Sequence, residues 1–176
     1  MIVLNTLKCQ TLTVGRPGKT HVKYTPESEL PNASLDIIGE LTSQSIPYRE
    51  YAEEIVIGDN VTKIGERALF GCGNILSLSI GKNVTFITSR AFGECTGLVE
   101  VTIPNSVKTM EFRAFEQCTS LESVVIEPGI ASIGTYAFYN CPALRSVTFL
   151  GKTIEQVQAM SKYPWGIADT SIINVA

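Results

Sequence analysis

Cys72, Cys95, Cys118 and Cys141 stand 23 residues apart. A fixed period of that length restricts a chain to architectures in which one small unit is stacked on copies of itself. The step is not confined to the thiols. Ala68, Ala91, Ala114 and Ala137 follow it, as do Leu69, Phe92, Phe115 and Phe138. So do Ile75, Leu98, Leu121 and Leu144, then Leu78, Val101, Val124 and Val147, then Ile80, Ile103, Ile126 and Phe149. Val61, Val84, Val107 and Ile130 keep the register, with Ile64, Ile87, Met110 and Ile133 behind them. So many apolar columns in one phase require a repeated structural unit.

Inside the unit, LESVVI (121–126) alternates and is rich in β-branched residues, which predicts a strand with Val124 and Ile126 facing inward. Pro104 or Gly81 then turns the chain, and a stretch such as SVKTM (106–110) returns Val107 and Met110 to the core. SRAFGEC (89–95) is too short for a long helix and is expected to form a helical or 3-10 turn. Each unit buries one side of itself, so neighbours must stack to complete the core.

IGTYAFYNCPALRSVTF (133–149) and ITSRAFGECTGLVEVTIP (87–104), the latter with Thr88 in place of a glycine, carry a resemblance to a known family. The sequence resembles the BspA-like leucine-rich repeats of bacterial and protist surface proteins over about residues 54 to 149, and FLGKTIEQVQAM (149–160) looks like a closing segment of such proteins. The resemblance implies an α/β chain: a right-handed leucine-rich-repeat solenoid with parallel β-strands and short helical or 3-10 turns. It also implies a noncatalytic protein-binding module, adhesin-like, that contacts proteins through its strand face.

A chain of 176 residues, 44% hydrophobic and 18% charged, is expected to form one domain. Residues 1–53 read as an N-terminal cap, 54–149 as the repeats, and 150–176 as a C-terminal cap, because an open solenoid exposes its core and strand edges. Within the first segment, TLTV (11–14) and HVKY (21–24) look like strands around the turn-rich GRPGKT. A degenerate repeat is expected at about 34–53, with Ile38, Leu41 and Ile46 in core columns and Arg49 at the cysteine position. In the last segment Ile154, Val157 and Met160 have helical spacing, and Trp165 is expected to pack across the final repeat together with SIINV (171–175).

Net charge −3 and a pI near 5.2, with scattered Lys and Arg, give no footprint for nucleic acid. No run approaches eighteen apolar residues, so no membrane insertion is expected. MIVLNTLKCQTLTVG does not read as a signal peptide. The location expected is therefore cytoplasmic if Met1 is the native start, and cell-surface or secreted by the resemblance. No metal is expected, since zinc needs close ligand pairs converging on a point rather than thiols in a line. Disulfides between stacked units are disfavoured because parallel side chains leave Cβ atoms farther apart than the usual ~3.8 Å. The thiols are expected to be buried and free, with Cys9 outside the line.

His21 is the sole histidine, Glu53, Glu54, Glu100 and Glu122 form no singled-out acid–base pair, and the glycines serve turns, so neither enzyme nor cofactor is expected. Arg67, Arg90 and Arg113 recur at the period, with Tyr136 next; they either hold an acidic partner or are neutralised by Glu66, Glu94, Glu111 and Glu116. The outward strand positions, Ser77, Ser79, Glu100, Thr102, Ser123, Val125, Ser146 and Thr148, are the candidate partner-binding surface, rimmed by Leu76, Val99, Glu122 and Arg145. They are equally readable as solvent-facing strand residues, since no aromatic cluster lies among them. The sequons at Asn32, Asn60 and Asn83 are assigned no function. An intracellular scaffold is the alternative to a surface module, and an enzyme using a cleft beside the N-terminal cap is the third.

Overall fold

A computed structural model of the chain describes residues 18–28 and 30–176. The expected TLTV strand and Cys9 lie outside the described residues. In chain order the strands are β1 (Thr20–Tyr24), β2 (Ala33–Leu35), β3 (Gly39–Leu41), β4 (Ala52–Val56), β5 (Val61–Ile64), β6 (Ser77–Ser79) and β7 (Phe86–Ile87). They continue with β8 (Glu100–Ile103), β9 (Thr109–Met110), β10 (Ser123–Ile126), β11 (Ser132–Ile133) and β12 (Ser146–Phe149), then a short α-helix, α1 (Ile154–Gln158), and β13 (Ile173–Val175).

The 23-residue period is the strand register. Ser123 lies opposite both Glu100 and Ser146, and Val124 opposite Val101 and Val147, all in parallel. Because the register shift equals the repeat, like residues stack on like. Each complete coil supplies two strands. One set contains β4, β6, β8, β10 and β12, and the other is a continuous five-stranded sheet ordered β11-β9-β7-β5-β3. This second sheet is made of the segments that periodicity returned to the core without assigning them a strand. Three of its members, β7, β9 and β11, are only two residues long, too short for alternation to register.

Between the strands, the backbone of each turn alternates its hydrogen bonds. Ala68, Phe70 and Cys72 donate back three residues, to Gly65, Arg67 and Leu69, as in a 3-10 turn. Arg67, Leu69 and Gly71 donate sideways, to Ser89, Ala91 and Gly93 of the next coil. The alternation needs left-handed residues, and they occur in two columns: Arg67, Arg90, Arg113 and Tyr136 at φ 52–59°, and Gly71, Glu94, Gln117 and Asn140 at φ 56–74°. A left-handed residue every fourth position stops a helix from propagating while satisfying the turn's amides, which is why the repeats hold turns rather than helices.

The expected columns fill the core, except that Leu78, Cys141 and Leu144 are only half-buried against it. Phe92, Phe115 and Phe138 stack along the axis with centroids 4.9 and 5.9 Å apart and rings within 15° of parallel. Alanine beside them leaves room for the rings and for close approach of the turns, and Cys95 and Cys118 fill the remaining volume without exposure.

At the N-terminal end β1 runs antiparallel to both β2 and β4. Leu41 and Ile46 occupy core columns as expected, but Ile38 is 78% exposed and Ile37 is buried in its stead. The correction has a local cause: the β3–β5 register shifts between Gly39 and Glu40, with Gly39 at φ 79°, and a one-residue slip exchanges the faces. Arg49, at the cysteine position, donates from its guanidinium to the Ser43 carbonyl at 2.6 Å.

At the other end, Thr153 and Gln156 form a reciprocal capping box that starts α1. Val157 and Trp165 are buried, and β13 adds a parallel strand beside β12. Phe138 donates its amide to the Trp165 carbonyl at 3.1 Å, so this segment supplies the central lateral bond of the last coil's turn.

Phe115 touches a ring on either side, so Phe115→Ala is expected to destabilise the fold by about 3–5 kcal/mol. Cys118→Ser, which buries a hydroxyl in place of a thiol, is expected to cost about 1–3 kcal/mol. Urea denaturation of the two variants beside the parent measures both.

Candidate protein-binding face

Strand pleating fixes which side chains leave the core. On β8, β10 and β12 the second and fourth residues are buried, and the first and third, Glu100 and Thr102, Ser123 and Val125, Ser146 and Thr148, point outward. Ser77 and Ser79 do the same on β6. The eight expected positions therefore share one surface. Six of them, Ser77, Ser79, Glu100, Thr102, Ser123 and Val125, line a depression of about 340 Å³ together with Leu76, Leu78 and Val101. Ser146 and Thr148 lie outside it, their hydroxyls 3.3 Å apart, with Asn174 donating to Ser146. The rim residues Leu76 and Val99 are exposed, while Arg145 faces Glu122 at 3.9 Å.

The arginine column sits on the turns, away from these strands. Arg90 Nε meets Glu116 Oε1 at 2.6 Å and an Arg113 terminal nitrogen meets Glu116 Oε2 at 3.0 Å, so one carboxylate with a side chain only 7% exposed bridges two coils. Neutralisation, one of the two readings open in the sequence, is supplied for these two residues by Glu116. Glu111 instead accepts from the Ser89 amide and hydroxyl. Arg67 makes no ion pair among the described residues and lies over Phe70, 5.3 Å from the ring centre.

The aromatic setting of these cations is not legible in the 23-residue columns. The Arg113 guanidinium is 4.9 Å from the centre of Phe112, 5.6 Å from Tyr139 and 5.8 Å from Tyr136, within cation–π range of each. Phe112 and Tyr139 belong to columns that otherwise hold Glu66, Ser89 and Thr135, or Phe70, Gly93 and Glu116. The signal was present only as a departure from the columns of two adjacent coils.

The cysteine line is a hydrogen-bonded scaffold of free thiols. Sγ of Cys95, Cys118 and Cys141 lies 3.1–3.2 Å from the carbonyl oxygens of Leu69, Phe92 and Phe115, each in the preceding coil. Cys72, Cys95 and Cys118 are buried, whereas Cys141 is partly exposed, a departure from the uniformly buried line expected. Burial pushes Cys72 up to about 12, partly offset by Arg49, and Cys141 to about 11; Cys95 and Cys118 are raised by the same desolvation. Such thiols are poor nucleophiles at neutral pH.

His21 lies on β1 opposite Ser34 and Val56. Among the described residues no three His, Cys, Asp or Glu side chains converge as a metal set, and no helix is long and apolar enough to cross a membrane.

A stack of parallel strands on a 23-residue coil, with its apolar columns closed by short turns, defines a leucine-rich-repeat protein. The chain belongs to the BspA-type family: the model for the BspA type leucine rich repeat region matches residues 43–161 in six copies. No curated protein matches. Among solved structures, a leucine-rich repeat protein from Bacteroides ovatus is similar at 24% identity and TM-score 0.62, over 81% of this chain and 37% of that one. A leucine rich cell surface protein from Faecalibacterium prausnitzii is similar at 24% identity and TM-score 0.65, over 70% of this chain and 32% of that one. The T. pallidum leucine rich repeat protein aligns at 25% identity and TM-score 0.60, over 64% and 52%. The chain thus spans between a third and about half of the length of these structures.

Two outcomes follow from the buried polar groups. Glu116→Gln, which leaves both arginines short of a charged partner, is expected to destabilise by about 1–3 kcal/mol, read by thermal unfolding of the variant. The raised thiols mean that the folded state holds protons the unfolded chain releases. Their contribution is full below pH 9 and is lost as pH rises from 9 toward about 12. A Cys72→Ala variant is therefore expected to lose less stability than the parent across that window in urea titrations.

Proposed function

We propose that the chain is a noncatalytic protein-binding module that engages its partner through the outward residues of β6, β8, β10 and β12, in an adhesin-type role at a cell surface. The observation that carries this reading is the coincidence of the depression with six of the eight outward positions. Its chemistry suits a protein surface: hydroxyls that donate and accept, the Glu100 carboxylate, and apolar contact from Leu76 and Val125 on a rigid frame. Leucine-rich repeats of this type are typically not catalysts, which supports a binding role, and one similar structure is a cell surface protein. Arg67, with its guanidinium over Phe70, is a peripheral contact in this reading, with Arg90 and Arg113 serving mainly the Glu116 bridge.

The test is capture of surface proteins from neighbouring or host cells on the immobilised full chain, alongside a Val125→Arg, Thr148→Arg variant. Both substitutions are at outward positions and are expected to shift stability by no more than about 0.5 kcal/mol each. Capture is expected to fall at least about tenfold, a loss of roughly 1.4 kcal/mol. Undiminished capture by a variant that remains folded would remove the strand face as the site.

A further inference from the structure

The depression on the strand face forms where the lateral bonding is weakest. One sheet ends at β6, in the order β2-β1-β4-β6, and the next begins at β8, in the order β13-β12-β10-β8. Leu76 donates its amide to Glu53 and Glu122 to Val99, both at 2.8 Å, whereas among the described residues the Val99 amide makes no such bond to Leu76. The second sheet runs on across the same coils, β7 pairing with both β5 and β9, so the coils stay adjacent and only side chains can enter between them. Leu78 is half-buried there, whereas its column mates Ile55, Val101, Val124 and Val147 are at most 3% exposed. With Leu76 and Val125 it offers hydrocarbon among the hydroxyls of Ser77, Ser79, Thr102 and Ser123.

One charged side chain lines the depression, that of Glu100. It follows Ser77 by one period and lies opposite Ser123 in the β8–β10 register, so the carboxylate stands between two hydroxyl-bearing positions of its own column. The other charges of this face are matched among themselves. Towards the N-terminal end Lys23 lies opposite Glu54 and pairs with Glu53 at 3.6 Å, and towards the C-terminal end Arg145 faces Glu122 at 3.9 Å. Among the described residues Glu100 has no ion pair. Water serves an exposed carboxylate well, but a protein surface laid over the depression removes that water, and an uncompensated carboxylate then opposes binding. A partner that covers Glu100 must bring the counter-charge with it.

We infer that the depression receives an arginine side chain of the partner protein, with its guanidinium on Glu100 and its methylene stem on Leu76 and Leu78. Two parallel N–H donors match the two carboxylate oxygens, and the remaining donors of the fork are shared with the hydroxyls that flank Glu100, which a compact ammonium would leave to water. Guanidinium is also the more weakly hydrated cation, so less is lost when it is covered. A charged head on an apolar stem suits a site whose one carboxylate borders hydrocarbon. The inference rests on the protein-binding reading and names the side chain that the strand face selects.

The capture experiment on the immobilised full chain is repeated with Glu100→Gln, an uncharged substitution of the same shape whose thermal unfolding midpoint is expected to match the parent's. Capture is expected to weaken at least about tenfold. Glu66→Gln, which removes the same charge from a turn, is expected to leave it unchanged. Blocking the arginines of the surface proteins with phenylglyoxal is expected to reduce capture as Glu100→Gln does, and acetylating their lysines to spare it. Undiminished capture by Glu100→Gln, an equal loss in Glu66→Gln, or indifference to phenylglyoxal would each overturn the inference. A direct probe is NMR titration with the blocked peptide Ala-Arg-Ala. Saturable shifts at Ser77, Glu100 and Ser123 are expected, weakened at least about threefold by citrulline in place of arginine and likewise by Glu100→Gln. Equal response to the citrulline peptide, or no response to either, would overturn the inference. So would self-association of the chain that Glu100→Gln abolishes, because the arginine would then be one of its own. If these tests fail while the Val125→Arg, Thr148→Arg variant still loses its protein partner, the strand face stands and the arginine falls. If that variant retains the partner, the broader reading is the one that fails, and the inference goes with it.

Discussion

The lateral main-chain bond between successive coils is the interaction on which everything else in this molecule rests. A 23-residue coil has no interior of its own, and its strands and turns present amides on both sides. Stacking satisfies those amides only when each coil repeats the geometry of the last. The two left-handed columns make this possible in the turns, because they aim alternate amides sideways instead of along a helix. Left-handed conformations at Arg67, Arg90 and Arg113 are individually unfavourable, and they persist because the amide of each is bonded to a carbonyl of the next coil.

Once coils are held at strand spacing, side chains of one column are forced into contact, and chemical type is turned to structural use. Phenylalanines become a stack, thiols become donors to the carbonyls of the preceding coil, and two arginines share the nearly buried carboxylate of Glu116. Residues that in another fold would invite thoughts of redox or anion chemistry are here committed to neighbours one coil away. Reactive capacity is correspondingly low where burial is greatest.

Function is then left to whatever the repeat does not consume: the outward strand residues and the places where the pattern weakens. These coincide. The depression lies over β6 and β8, among the described residues the one pair of adjacent strands on that side that are not hydrogen-bonded, and of β4, β6, β8, β10 and β12 only β6 has no β-branched residue. A uniform solenoid offers a uniform surface, and a departure in one coil gives that surface a distinguishable point.

The sequence by itself determined the period, its phase, and the direction of nearly every side chain between Val61 and Phe149, because strand alternation and a 23-residue register are properties of local order. It also placed Leu41, Ile46, Val157 and Trp165 in the core. It misplaced Ile38 by one residue, since a slip at a left-handed glycine leaves no trace in hydropathy. Only the tertiary structure decided that two-residue segments such as Phe86–Ile87 form a continuous second sheet, that Arg113 lies among three aromatic rings, and that Val99 has no partner on Leu76. Those features depend on pairings across a whole coil, where the spacing between neighbours, and not the identity of either one, sets whether a bond is made.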